Sequence, residues 1–329
     1  MIDRRTLLGA LAALPMIGTA ACAASSAPSG GQAASAAAGP RLHTRPMPGA
    51  AQPVPVIGIG TARRFQGAAS EEQLAPLRAT IARFAELGGR LIDTAPSYGD
   101  AEQVIGRLVG ELGIRDRLFL ATKVAGANAA EAQTQIDQSF VNLRTDRIDL
   151  IALHNLQDDA AKLALLRALK AQGRVRSIGA SISSRAGFGP TADAIAAQPA
   201  QYAAFEAFLR RERVDVIQVD YAIDNRGAAE RILPLAQEQG LAVMVNLPFG
   251  RGRLFQETQG RPLPDWAAEI GATSWAQIFL KYIVSHPARP IAIPGTAQAR
   301  YVDDNLGAAR GPMPDAAMRR RMEATIDAI

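Results

Sequence analysis

From residue 54 onward, short aliphatic and β-branched runs alternate with longer stretches of helical period, the pattern of repeated strand–helix units. Eight such runs occur: VPVIGIG ending near Thr61, RLIDTA at Asp93, LFLATKV at Lys123, IDLIALH at His154, VRSIGAS at Ser181, VDVIQVDY at Gln218, LAVMVN at Asn246 and PIAIP at Pro294. Their end points fall 32, 30, 31, 27, 37, 28 and 48 residues apart, each interval long enough for a crossover helix. In the first interval, Leu74, Leu77, Ile81, Phe84 and Leu87 recur at spacings of three and four, Ser70 with Gln73 resembles a capping box, and Gly88-Gly89 ends the stripe. Similar stripes occur in AEQVIGRLVGEL, AKLALLRALKAQ, AAERILPLAQEQ and TSWAQIFLKYIVSH, where Pro234 should disturb the ladder of the segment that holds it. Eight parallel units predict an α/β fold, a closed (β/α)8 TIM barrel. An open nucleotide-binding sheet would need a third glycine after Gly58-x-Gly60, where Arg63 stands. Before the first unit, RPMPGAAQPVPVI predicts a short hairpin around Gly49; after the last, PDAAMRRRMEATIDAI predicts an outer helix.

Composition narrows the partners. Thirty-six basic against 31 acidic residues, spread along 329 positions, give no concentrated basic face, so nucleic acid is not an expected partner. A single cysteine, Cys22, and three scattered histidines exclude a disulfide framework and helical metal-ligand spacing. Residues 1–22 read as a signal peptide, a basic start followed by an apolar run too short for a comfortable membrane span. Arg4-Arg5 followed by Thr6, Leu7 and Leu8 resembles a twin-arginine export signal. Cys22 follows Thr19-Ala20-Ala21 as in a lipoprotein box, while cleavage after Ala23 or Ala36 fits equally well. Residues 23–42 are an Ala/Ser/Gly linker and 43–329 the barrel. The expectation is an exported, periplasmic protein, with membrane contact confined to the signal or a Cys22 lipid anchor.

In a barrel of this kind the strand ends face one pocket. Asp93, Lys123 and His154 close three consecutive strands, and Tyr98 lies in the loop after Asp93. Each alone is commonly a cap, a solvated charge or a packed side chain; together, on one face, they mark a reaction centre. One chemistry open on these residues is Schiff-base attack by Lys123, which a nearby Asp93 disfavours by keeping the amine charged.

GGRLIDTAPSYGDAEQVIG resembles the signature of the aldo-keto reductases, and LATK, IDLIALHN and IPGTAQARYVDDNLG match that family in the same order, from about Val54 to Ala309. The resemblance implies a nicotinamide enzyme, NADP(H) with NAD(H) not excluded, acting on a small-molecule carbonyl substrate, as a monomer. It makes Tyr98 the general acid, Lys123 the stabiliser of its phenolate, Asp93 the partner of Lys123, and His154 the donor that orients the carbonyl. It places Ser181 and Gln218 at the nicotinamide carboxamide, and Gly60, Thr61, Asp93 and Asn246 are also expected to bind the cofactor. The family's Asn after that serine is Ile182 here, and its stacking aromatic after the seventh strand is Asn246, leaving Phe249 as the nearest substitute. Pro248, Gly250, Arg251, Gly252 and Arg253 form a basic loop expected over the pyrophosphate, and Gly295-Thr296 leads into a helix whose N-terminus favours phosphate. Asp304 and Asn305 are expected near adenine, Tyr301 stacked on it, and Arg300 at the 2′-phosphate. The altered nicotinamide contacts leave a second function open, a barrel kept as a cofactor-binding sensor for a partner protein. Substrate choice is left to the loops 62–70, 125–131 and 249–264 and to the tail.

Overall fold

The computed structural model describes residues 41–156 and 160–329, apart from the Arg185 side chain. The signal peptide, Arg4, Arg5, Cys22 and nearly all of the linker therefore lie outside the described residues. The chain from Pro40 to Ile329 is one compact unit. It opens with β1 (Thr44–Arg45) and β2 (Val54–Pro55), an antiparallel hairpin. Gly49 turns it at φ +79°, and a Cβ there would lie 2.6 Å from that of Arg176.

Eight parallel strands follow: β3 (Ile59–Gly60), β4 (Leu91–Asp93), β5 (Phe119–Val124), β6 (Ile148–Leu153), β7 (Val175–Ile182), β8 (Val216–Asp220), β9 (Ala242–Asn246) and β10 (Ile291–Ala292). Each pairs with its neighbour in sequence. Bridges from Ile57 to Ala292 and from Gly60 to Gly295 join the first strand to the last. The closing bonds are Gly58 N to Ala292 O at 2.8 Å and Gly60 N to Pro294 O at 2.9 Å.

The crossover helices are α1 (Glu71–Glu86), α2 (Ala101–Glu111), α3 (Ala129–Asn142), α4 (Ala160–Ala171), α5 (Arg185–Phe188), α6 (Ala192–Arg211), α7 (Ala228–Gln239), α8 (Arg253–Glu257) and α9 (Trp275–Val284). After β10 come α10 (Ala299–Gly307) and the outer helix α11 (Ala316–Asp327). The Ser70–Gln73 capping box forms both of its hydrogen bonds, and Gly88 turns to φ +90° after α1. Pro234 lies inside α7 and disturbs its ladder by removing one N–H, while buried Ile232, Leu233, Leu235 and Ala236 hold the helix against the barrel.

Strand alternation sorts the barrel's side chains. Ile92, Leu120, Ile151, Ile217 and Val243 face outward into the helix layer. Leu91, Phe119, Leu150, Val216, Met244 and Ile291 face inward and meet Met47 and Val54 of the hairpin, an apolar plug at the base. The same inward phase, read upward along each strand, brings Asp93, Lys123, Gln218 and Asn246 onto the opposite end.

Candidate active site

Two residues above Leu91, Asp93 ends β4; four above Phe119, Lys123 lies near the end of β5. They are 3% and 2% exposed. The Lys123 ammonium donates to Asp93 Oδ1 at 2.9 Å, to Oδ2 at 2.8 Å and to the Thr94 carbonyl at 2.9 Å, so its three protons are all placed. Gln218 Nε2 reaches Asp93 Oδ2 at 3.4 Å. Burial works most strongly, and against the Lys123 charge, but Asp93 and Tyr98 together more than offset it and hold the ammonium above the ordinary lysine range. Burial likewise pushes the Asp93 carboxyl up, against the pull of Lys123.

The Lys123 Nζ stands 5.2 Å from the Tyr98 ring centroid. Tyr98 is set by a turn in which its N–H donates to Ala95 O, 3.0 Å, and Asp100 Oδ1 accepts from Gly67 N, 2.6 Å, tying this loop to the preceding one. Burial pushes the Tyr98 phenol above its ordinary value, and Lys123 only partly offsets that rise. The phenol therefore stays protonated at neutral pH. His154, one residue past β6, has its N–H bonded to Val124 O at 2.9 Å and meets Tyr98 edge-on, with centroids 6.1 Å apart at 84°. Burial, then repulsion from Lys123, lowers its pKa to about 4. At neutral pH its ring keeps a single N–H to donate.

The opposite wall is formed by β7 to β10. Ser181 Oγ donates to Leu153 O at 3.0 Å and accepts from Asn155 N at 3.2 Å, so its one donor is already used. Asn246 Nδ2 donates to Ser183 Oγ at 3.0 Å, while Asn246 Oδ1 is buried and accepts nothing among the described residues. The half-buried Phe249 ring joins Phe255 at 4.8 Å and Phe279 at 6.4 Å. Pro248 is buried beside it.

Past β9, Gly250, Arg251 and Gly252 have φ of +52°, +59° and +99°, a tight left-handed turn. Arg251 is exposed, with its guanidinium 5.1 Å from the Phe188 ring centroid. Arg253 departs from the expected basic loop: it begins α8, and Asp224 pairs with its guanidinium, so it does not extend over the mouth.

Gly60 N and the Thr61 hydroxyl lie at the seam, Thr61 Oγ1 donating to Asp93 O at 3.0 Å. Gly295 lies beside the Arg64 side chain, at a distance of 3.5 Å for an added Cβ. Thr296 Oγ1 accepts from Asn305 Nδ2 at 3.0 Å and bonds Pro294 O at 3.2 Å, which fixes the turn into α10. Asn305 therefore shapes the turn from beneath. Asp304, expected near adenine, is turned to α9 instead, accepting from Ser274 Oγ at 2.8 Å and Gln277 Nε2 at 2.9 Å. Arg300 and Tyr301 are exposed and paired, Nη2 to OH at 3.1 Å. No side chain caps the N-terminus of α10, whose first N–H groups remain for an anion.

Asp220 was missed in the sequence, although it follows Gln218 by two residues and so shares its inward phase. It is fully buried, and its oxygens accept from Ser184 N at 2.7 Å, Ser184 Oγ at 2.6 Å and Asn225 Nδ2 at 2.7 Å. It thereby fixes the loop after β7 that carries Ser183.

An eight-stranded barrel with Asp, Lys, Tyr and His gathered at its strand ends is an oxidoreductase scaffold of a recognisable kind. Residues 56–325 match the model of the aldo/keto reductase family, and the chain belongs to that family. It is 30% identical over 263 residues to the methylglyoxal reductase YeaE of Escherichia coli K12, covering 77% of this chain and 84% of that one. The NADH-specific methylglyoxal reductase of the same organism is 26% identical over 203 residues, 53% of this chain and 57% of that one. Among solved structures, the aldo/keto reductase of Klebsiella pneumoniae in complex with NADP and acetate superposes with a TM-score of 0.68 at 26% identity, covering 86% of this chain and 95% of that one.

Proposed function

We propose that the protein is an NADP(H)-dependent reductase of small carbonyl compounds, with Tyr98 as its general acid. The observation that carries this reading is the buried Asp93–Lys123 pair set beneath a protonated Tyr98 and a neutral His154. The residues of the opposite wall fit a nicotinamide dinucleotide: a buried amide oxygen at Asn246 without a donor, an exposed Arg251, an uncapped helix start at α10 and the Arg300–Tyr301 pair beyond it. Bound there, the dinucleotide supplies the hydride.

The chain's own groups do the rest. His154 donates its N–H to the carbonyl oxygen and orients it. Tyr98 gives its phenolic proton to that oxygen as negative charge develops on it. Lys123 faces the phenolate left behind, and Asp93 keeps Lys123 charged and fixed through the transfer. In the reverse direction the same tyrosinate takes the proton from an alcohol.

NADPH oxidation with methylglyoxal, the substrate in YeaE's name, tests the reading. Wild type turns over, and Tyr98→Phe falls by about 10²–10⁴-fold while still binding NADP+. Equal rates in the two proteins would refute the assignment of Tyr98. A second reading, a barrel that binds the dinucleotide without turnover, draws on the Ser181 hydroxyl already spent on Leu153 and Asn155; bound cofactor and no turnover with any carbonyl would favour it.

The twin-arginine pattern adds a proposal about location. The barrel folds around NADP(H) inside the cell and leaves with it bound, the ligand stabilising the fold in transit. Protein recovered from the periplasm free of nicotinamide would sink that idea.

A further inference from the structure

Asn246 closes β9 in register with Asp220 of β8, two residues beyond Gln218. Its bond to Ser183, just past the end of β7, makes the amide a strut across the end of β8. Ser183 in turn belongs to the loop that Asp220 anchors through Ser184. The amide is thus held from two sides, and its Oδ1 is nonetheless buried and without a donor. A buried acceptor left unmatched is costly, and this one is not exposed to solvent that would satisfy it. Its place in the fold points to a donor brought by a ligand.

The wall on which it stands says which part of the ligand. Tyr98, in the loop after β4, and His154, one residue past β6, mark where the carbonyl must sit. Asn246 faces them from β9, at the foot of the loop carrying Arg251 and next to the strand that leads into α10. Those two features suit phosphates, and the ring that must reach the carbonyl lies deeper, at the level of the strand ends. We infer that Asn246 Oδ1 accepts the N–H of the nicotinamide carboxamide, so that a β9 side chain reads the amide of the cofactor in this protein. Ser181 has no donor left and keeps at most one lone pair for the same group.

This inference rests on the reductase reading, and the test separates the two. Wild type and Asn246→Leu are titrated with NADP+ and with its 3-acetylpyridine analogue, which keeps the carbonyl but replaces the NH2 by a methyl group. Quenching of tryptophan fluorescence reports binding without turnover. Wild type should prefer NADP+ by about tenfold, the worth of one hydrogen bond. Asn246→Leu should bring the ratio to within about twofold with little change for the analogue. Asn246→Asp, which keeps an oxygen acceptor, should retain the preference, and Asn246→Ala gives the same reading as leucine should the larger side chain prevent folding. A preference that survives in the leucine or alanine variant overturns the inference, as does an equal loss for both ligands. Wild type that binds neither NADP+ nor NADPH overturns the reductase reading itself.

Discussion

The two walls of the barrel mouth are built on different physical terms. On the β4–β6 side, charge is buried, paired and fully hydrogen-bonded: every proton of the Lys123 ammonium has an acceptor. On the β9–β10 side, groups are exposed or lack partners, as with Arg251, the start of α10 and Asn246 Oδ1. The buried ion pair of the first wall is complete before any ligand arrives, although Thr94 Oγ1 beside it is buried without a partner among the described residues; the second wall keeps its groups open. A site that moves a proton needs its donors placed in advance, whereas a site that must admit and release a large dinucleotide needs groups with capacity to spare.

That contrast is sharpest for the buried pair. Lys123→Met should destabilise the fold by about 3–5 kcal/mol, because Asp93 is then left buried and uncompensated, and should abolish turnover; urea unfolding and a rate assay check both. Unchanged stability would mean that Asp93 had simply taken up a proton. Next in size is Asp220→Ala, on the other wall but buried like the first. It should cost about 1–3 kcal/mol and weaken cofactor binding together, since Ser184 N–H and Asn225 lose their acceptor. A loss of affinity with no change in unfolding midpoint would put Asp220 among the open, ligand-completed groups instead.

The acid limb gives a third test. His154 and His286 are each lowered to about 4, chiefly by burial, whereas in the unfolded chain they titrate near ~6.5. Between those values the unfolded chain holds more protons, so stability is full above ~6.5 and is lost as pH falls toward 4. His154→Asn and His286→Asn should each shrink that loss, read as the urea midpoint at pH 7.5 minus that at pH 4.5. The smallest effect belongs to the most exposed group. Arg300→Ala should leave the unfolding midpoint where it is and reduce the preference for NADP+ over NAD+ by about threefold to tenfold; an unchanged preference would remove Arg300 as the reader of the 2′-phosphate.

The same division decided what was legible in the sequence. Strand ends could be counted because parallel buried strands are short apolar runs, and period-two alternation then puts Asp93, Lys123 and Gln218 on one interior. The β7–β8 connection was harder: α6 is rich in alanine and carries Pro199, so it shows little of the stripe that marks α1. On the open wall, residue type suggested a role and local bonding reassigned it. Asp304 is spent on Ser274 and Gln277, and Arg253 on Asp224. Each of those partners lies on another element, and no local pattern names it. Thr94 had no signal at all, because it contributes a backbone carbonyl to Lys123.

The seam between β3 and β10 has a meaning beyond the site it helps to frame. An open sheet presents two rows of unpaired backbone groups, each a template for another chain. Here Gly58 N donates to Ala292 O and Ala292 N to Val56 O, so the two rows satisfy one another. His43, ahead of the hairpin, is tied to Ala309 O at 2.7 Å and to Gly311 O at 2.8 Å, which stitches the beginning of the fold to its final segment. Fraying from either end must therefore undo the other, and the strands most open to adhesion between molecules are withdrawn from it by the molecule's own closure.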